Sequence, residues 1–240
     1  MKKIVTTIPI INCGDASEEG MERLRKAFQA LPAYIRKGLE DHGYQIIMGR
    51  FLSSIRPYLN ARCFGAFSPI DKAIYSSEWY LMAGFTCPSK IEGALTHEAG
   101  HFSDFILAGT GEYPKGYSSL QERFKAAAKA DVARLVKDDC KRMHELAIRL
   151  SGDNYTPAEE LVAHFKTIFI EGANRELEIY AETFANMQGH HAADRFLIAP
   201  LFPRCAEIVQ ADHDRLSDIM VPERASTRRV MHRTAPRNTA

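Results

Sequence analysis

The pentapeptide His97-Glu98-Ala99-Gly100-His101 constrains this chain more than any other stretch, because its chemistry works only on a helix. Residues four apart share one face of an α-helix, so the two imidazoles can hold a single metal ion together. Glu98 is turned about 100° around that helix, which aims it at a water on the metal rather than at the metal. A shuffled chain of this composition yields roughly 0.025 such matches, so two histidines that merely satisfy hydrogen bonds are the weaker reading.

Length and composition set the frame. A chain of 240 residues, 45% apolar and 25% charged, fits one large domain with an ordinary buried core. A net charge of +1 argues against a nucleic-acid binder that works through bulk electrostatics. Five scattered cysteines (Cys13, Cys63, Cys87, Cys140, Cys205), with no C-x-x-C pair, suit free thiols in a reducing compartment. Cys87 lies nearest the motif and reads as a small buried residue.

Met1-Lys2-Lys3 followed by Ile4 to Ile11 superficially resembles a signal peptide. Thr6, Thr7 and Pro9 break the apolar run and no small-x-small site follows, so an edge strand is expected. No stretch approaches about 20 continuous apolar residues, so no membrane span is expected. The localisation expected is a cytoplasmic fold without a secretory signal peptide; a secreted effector or toxin would need an export route that does not use one.

The first half reads as α+β. Ser17 with Glu18 and Glu19 opens a helix with Met21, Leu24, Phe28 and Leu31 at helical spacing. Pro32 restarts it through Ala33 to Glu40, and Gly43 stops it. Tyr44 to Met48 is a strand candidate. Phe64 to Phe67 and Ala73 to Ser76 flank Ser68-Pro69-Ile70-Asp71-Lys72 as a hairpin, and Tyr80 to Phe85 supplies a further strand or a cleft rim. Ser89-Lys90-Ile91-Glu92 matches a capping box that opens the motif helix, which Gly109 and Gly111 end.

The second half is mostly helical. Ser119 to Ser151 reads as one charged amphipathic helix, whose Lys and Arg alternate with Asp131, Asp138 and Asp139 on a solvated face. Thr156-Pro157-Ala158-Glu159 starts another helix, Gly172 and Asn174 break it before Arg175 to Met187, and a last helix covers Arg204 to Leu216. Beyond about Val221, five Arg against Glu223 suggest a flexible tail.

A catalytic zinc site needs a third protein ligand. The carboxylates of Glu178-Ile179-Tyr180-Ala181-Glu182 share one helical face, and small Ala181 allows close packing on the motif helix. Glu178 could bind the metal while Glu182, one turn on, holds an imidazole. Glu159, Glu160, Glu171 and the His190-His191 pair stay open as rivals.

The order of elements resembles the zincin domain shared by anthrax lethal factor and the Pro-Pro endopeptidases. The carrying residues are Leu31-Pro32, Gly43 to Ile47, His97 to Asp104, Glu178 to Ala185 and Ala199-Pro200-Leu201-Phe202, spanning Leu31 to Leu216. The resemblance implies that Glu178 is the glutamate ligand and that Asp104 braces the site. Two departures stand out. His101 and Glu178 are 77 residues apart, more than in those relatives, with Ser119 to Ser151 as the inserted piece. Glu171 stands where they carry an oxyanion-stabilising tyrosine, leaving Tyr113, Tyr117, His190 and His191 as substitutes by residue type alone.

The expectation is an α+β, zincin-like domain over residues 1–220. A small mixed sheet packs on the HExxH helix, residues 119–151 form a helical insertion, and residues 221–240 form an Arg-rich tail. The expected function is a zinc-dependent endopeptidase acting on a protein or peptide substrate, with Glu98 as general base and His97, His101 and Glu178 as metal ligands. No nucleic-acid partner is expected. The alternative is a zincin-fold interaction protein with impaired turnover.

Overall fold

The computed structural model describes residues 8–61, 63–82, 85–112, 116–137, 163, 165–189 and 198–221. Helix α1 (Glu18–Ala30) starts at Ser17, whose side chain accepts from the Gly20 amide at 3.0 Å, with Glu18 and Glu19 at the positive helix end. Helix α2 (Ala33–Asp41) begins after Pro32 and stops before Gly43, whose φ of +70° costs glycine little. These two helices cover a sheet of four strands: β1 (Ile10–Asn12), β2 (Gln45–Gly49), β3 (Gly65–Ser68) and β4 (Ala73–Ser77).

The strand order is β1-β2-β4-β3. The first three are parallel, and β3 returns antiparallel to β4 with Phe67 opposite Ile74, so β3 forms one edge. Central β2 and β4 are almost wholly buried, as expected of strands covered on both faces. A short helix, α3 (Leu52–Ile55), follows β2. The stretch Tyr80 to Phe85, expected as a further strand or a cleft rim, falls in a separate hairpin, β5 (Trp79–Met82) and β6 (Phe85–Pro88), with Trp79 opposite Pro88.

Helix α4 (Ile91–Phe102) carries the HExxH residues through the middle of the molecule and continues as a π-turn over Ser103–Leu107. Ile91, Leu95 and Phe102 are buried on one face and Gly93, Thr96 and Gly100 on the opposite one, which is the signature of a central helix rather than a surface one. Phe102 sits edge-on to Tyr44 at 4.9 Å, and Tyr44 stacks on Phe67 at 5.8 Å, which fixes α4 against the sheet. The capping box expected at Ser89 is absent. The Ser89 hydroxyl lies 3.2 Å from that of Ser77, and Glu92 instead takes a bidentate bond from Arg23 of α1.

A 3₁₀ turn (Ser118–Leu120) leads into α5 (Glu122–Lys137). Beyond a second π-turn (Lys166–Ile170) come α6 (Arg175–Met187), the short α7 (Ile198–Leu201) and α8 (Pro203–Met220). Over its described part the charged segment turns its expected apolar face, Phe124 among it, into the core, and only Asp131, read with the solvated face, departs from that reading. Phe124 is buried against Tyr180, and Asp131 is 1% exposed, accepting from the Arg204 and Cys205 amides at 3.0 and 3.2 Å. Asp131 thus caps α8 rather than facing water. The helix start expected at Thr156, the end of the insertion and the Arg-rich tail lie outside the described residues. Among the described residues, no helix is long and apolar enough to cross a membrane.

Helices α4 and α6 meet at Gly100 and Ala181. A Cβ on Gly100 would lie 2.8 Å from the Ala181 Cα and 2.9 Å from its carbonyl oxygen, closer than carbon atoms tolerate. In Gly100→Ala the helix-propensity gain of about 1 kcal/mol is outweighed by a clash with backbone that cannot step aside, of about 2–3 kcal/mol. The expected outcome is a net loss of about 1–2 kcal/mol, read as a fall in Tm of roughly 2–8 °C by calorimetry. An unchanged or raised Tm would show that the helices are free to separate.

Candidate metal centre

The close approach of α4 and α6 brings His97, His101 and Glu178 to one point. Their nearest ligand atoms all lie within 4.8 Å of one another. Nε2 of His97 is 3.4 Å from one Glu178 oxygen, and Nε2 of His101 is 3.8 Å from the other. The two rings stand nearly perpendicular, at 87°, with centroids 4.8 Å apart. A tetrahedral ion with bonds of about 2.0–2.1 Å sets its ligand atoms about 3.3 Å apart, so these residues could hold one once the widest pair draws in by up to about 1.5 Å.

Glu182, one turn beyond Glu178 and fully buried, sits 3.0 Å from Nδ1 of His97. An ionised carboxylate can only accept, so it holds the Nδ1 proton and leaves Nε2 for a metal. Asp104 does not brace an imidazole. Its two oxygens take the Ser119 amide at 2.7 Å and the Ser119 hydroxyl at 2.6 Å. Burial pushes Asp104 up to about 8, and the Ser119 bonds restrain that rise.

Glu98 lies outside the ligand trio and is only 7% exposed. Burial pushes its carboxyl up to about 7; the His97 charge pulls it down, Glu178 raises it, and the Phe67 backbone amide bonds to it. Edge strand β3 passes against this carboxylate. A Cβ on Gly65 would come 2.7 Å from Oε1 of Glu98, so glycine is what admits the close passage. These groups share a cavity of about 470 Å³ whose apolar walls include Phe64, Phe67, Ile168, Phe169 and Leu177.

The charges are interlocked. Burial opposes charge on His97, but Glu178 and Glu182 overcome it and raise the imidazole well above its ordinary value. Burial holds His101 down at about 4. Glu178 is pushed up by burial yet held at about 2 by its hydrogen bond to His97 and the charges of both imidazoles. A carboxylate-rich pocket that draws a proton onto its own histidine is electrostatically suited to a cation.

The rival ligand Glu171 is exposed and ends the turn over Lys166–Ile170. The cavity wall on that side is Ile168 and Phe169 instead. Among the substitutes for the expected tyrosine, Tyr117 lines the cavity, whereas Tyr113, His190 and His191 lie outside the described residues, as do Glu159 and Glu160. Gly65 and Cys63 also line the cavity and carry no motif that would have singled them out. Neither the family models nor the curated proteins compared with this chain match it.

Two outcomes follow from this geometry. Replacing Glu178 with Ala removes a ligand while leaving α6 intact, so zinc affinity measured by chelator competition should fall by at least about 100-fold. Because Glu178 and Glu182 raise the His97 imidazole well above its ordinary value, zinc competes with a proton there. Calorimetry in buffers of different ionisation enthalpy should show about one proton released per zinc at pH 7, with affinity rising about tenfold per pH unit below the His97 pKa. Binding without proton release would refute this charge assignment.

Proposed function

We propose that the chain is a zinc-dependent endopeptidase. The observation that carries the reading is the separation of roles on one helix. His97 and His101 turn Nε2 toward Glu178, while the neighbouring Glu98 stays out of the trio and faces the same cavity. A purely structural metal site is closed by four protein ligands and has no use for such a carboxylate. Two imidazoles and a carboxylate favour zinc among divalent ions of this coordination.

Held by His97, His101 and Glu178, a zinc ion would supply Lewis acidity to a peptide carbonyl and to a water at the site. Glu98, raised by burial to about 7, accepts the proton as that water attacks the carbonyl carbon. The same carboxyl then delivers the proton to the leaving nitrogen as the C–N bond breaks. Glu182 keeps His97 in a single tautomer throughout. Edge strand β3 offers an extended peptide a backbone to pair with beside Glu98, and the surrounding phenyl and aliphatic groups suit apolar side chains. The likeness to the lethal factor and Pro-Pro endopeptidase zincins is part of this proposal.

The interaction-protein reading draws on Glu171, which is exposed and leaves its expected role unfilled. Glu98→Gln separates the two readings. The amide is isosteric, so the variant should fold, keep one zinc per chain and lose about 10²–10⁴ in hydrolysis. Hydrolysis is followed by mass spectrometry of new peptide termini in a lysate treated with either protein. Equal effects from wild type and variant, both zinc-loaded, would overturn the peptidase reading.

A further inference from the structure

The cleft beside the candidate metal centre does not end at Phe67. Past the end of β3, a second cavity of about 490 Å³ opens between the hairpin tip and the π-turn that extends α4. Tyr44, Ile70, Phe105 and Ile106 wall it, and His42 and Lys72 are its charged groups. The two cavities meet at one aromatic wall, since Phe67 and Tyr117 line the first while Tyr44 and Phe105 line the second. The Phe67 ring lies 5.8 Å from that of Tyr44 and 6.1 Å from that of Phe105, which in turn lies 4.8 Å from that of Tyr117.

Edge strand β3 runs from one cavity to the other. Gly65 lies against Glu98, and Pro69 and Ile70 follow Ser68, the last residue of the strand. Four residues of strand, at about 3.3 Å each, separate the two places by about 13 Å. An extended peptide that pairs with β3 and is cut beside Glu98 therefore carries its residues at about four to six positions from the cut over the second cavity.

The chemistry of that second cavity is one-sided. Among the described residues, no carboxylate lines it, and none pairs with Lys72 or His42. Asp71, next to Lys72 in sequence, is drawn to the opposite face of the sheet. There its Oδ2 accepts from the hydroxyls of Tyr58 at 3.0 Å, Ser68 at 2.9 Å and Tyr75 at 2.8 Å. Ile70, at 78%, is the most exposed large apolar side chain among the described residues. Lys72 also holds a left-handed backbone, with φ at +48°, at a hairpin position that glycine would take at less cost. The backbone thus carries strain for a side chain that the fold itself does not use.

Resting on the peptidase reading, we infer that this basic cavity is a second binding subsite for the same substrate chain. It takes an acidic residue beside an apolar one, about four to six residues from the bond that is cut. The substrate carboxylate meets Lys72 and His42, and the apolar side chain lies on Ile70 and Ile106. Both cations are exposed, so each contributes modestly and is screened by salt. A charge requirement well away from the cut is thereby added to the apolar preference beside Glu98.

The test uses the full zinc-loaded chain. New termini in a treated lysate supply a cut sequence, which is synthesised as peptides long enough to reach both cavities. Glu or Lys is placed about four to six residues from the cut, on one side of it at a time. On one side, wild type should cut the Glu peptide about tenfold better than the Lys peptide in kcat/KM, and high salt should shrink that ratio. Lys72→Glu should reverse the order, because the reversed charge now repels the acidic peptide. Lys72→Gly suits the left-handed backbone, so its Tm should hold or rise while the ratio falls to about threefold or less.

Equal rates on the two peptides by wild type, or an unchanged preference in Lys72→Glu, would overturn the subsite and leave the peptidase reading standing. Lysate cleavage that depends on Lys72 when peptide cleavage does not would mean that the cavity docks a remote part of a folded protein, which overturns the subsite as well. A zinc-loaded wild type that cuts nothing in the lysate would overturn the peptidase reading and the subsite with it.

Discussion

Everything in the candidate centre depends on the contact between Gly100 and Ala181. Only hydrogen on one side and a methyl on the other let the backbones of α4 and α6 come this close. At ordinary helix separations of about 8–10 Å, the Glu178 carboxylate would not reach two imidazoles on the facing helix. The small residues inside H-E-A-G-H and E-I-Y-A-E are therefore as much a part of the site as the side chains that chelate. Glu182 exploits the same closeness, spanning the interface to hold Nδ1 of His97.

The ligand geometry was legible because it is local. An i, i+4 pair of histidines and an i, i+4 pair of glutamates each mark a helix face, and packing two such faces together needs only small residues between them. The helix limits at Ser17, Pro32, Gly43 and Asn174 were legible for similar reasons, since each acts within a turn of its own position. What escaped was set by partners distant in sequence. Ser89 has the residue type of a cap, but Ser77 and the Glu78 carbonyl claim it, and Arg23 claims Glu92. Asp131 sits amid lysines and arginines and reads as surface charge, yet it meets the start of a helix more than seventy residues away. Counting charges along a helix says nothing about which one another element will need.

Tyr117 illustrates the same limit at the site itself. Its residue type made it one of four equal candidates, and no local pattern separates it from the others. Its placement depends on Asp104 and Asp212, which bond the next two residues, Ser119 and Ser118, and which belong to two other elements and meet only in the folded molecule. The glycine at position 65 is equally silent in sequence, since a strand glycine ordinarily signals weakness rather than room for a neighbouring carboxylate.

The 77 residues between His101 and Glu178 also bear on the order of assembly. The two halves of the centre lie on separate helices, and closing a loop of that length must come before any ion feels all three ligands. A metal ion cannot therefore nucleate this fold as it does in a small zinc finger, where the ligands lie close along the chain. It can only clasp α4 and α6 once their hydrophobic faces have found each other. An ion held there would act as a latch on a finished frame, and its grip would appear in the rate at which the frame opens more than in the rate at which it forms.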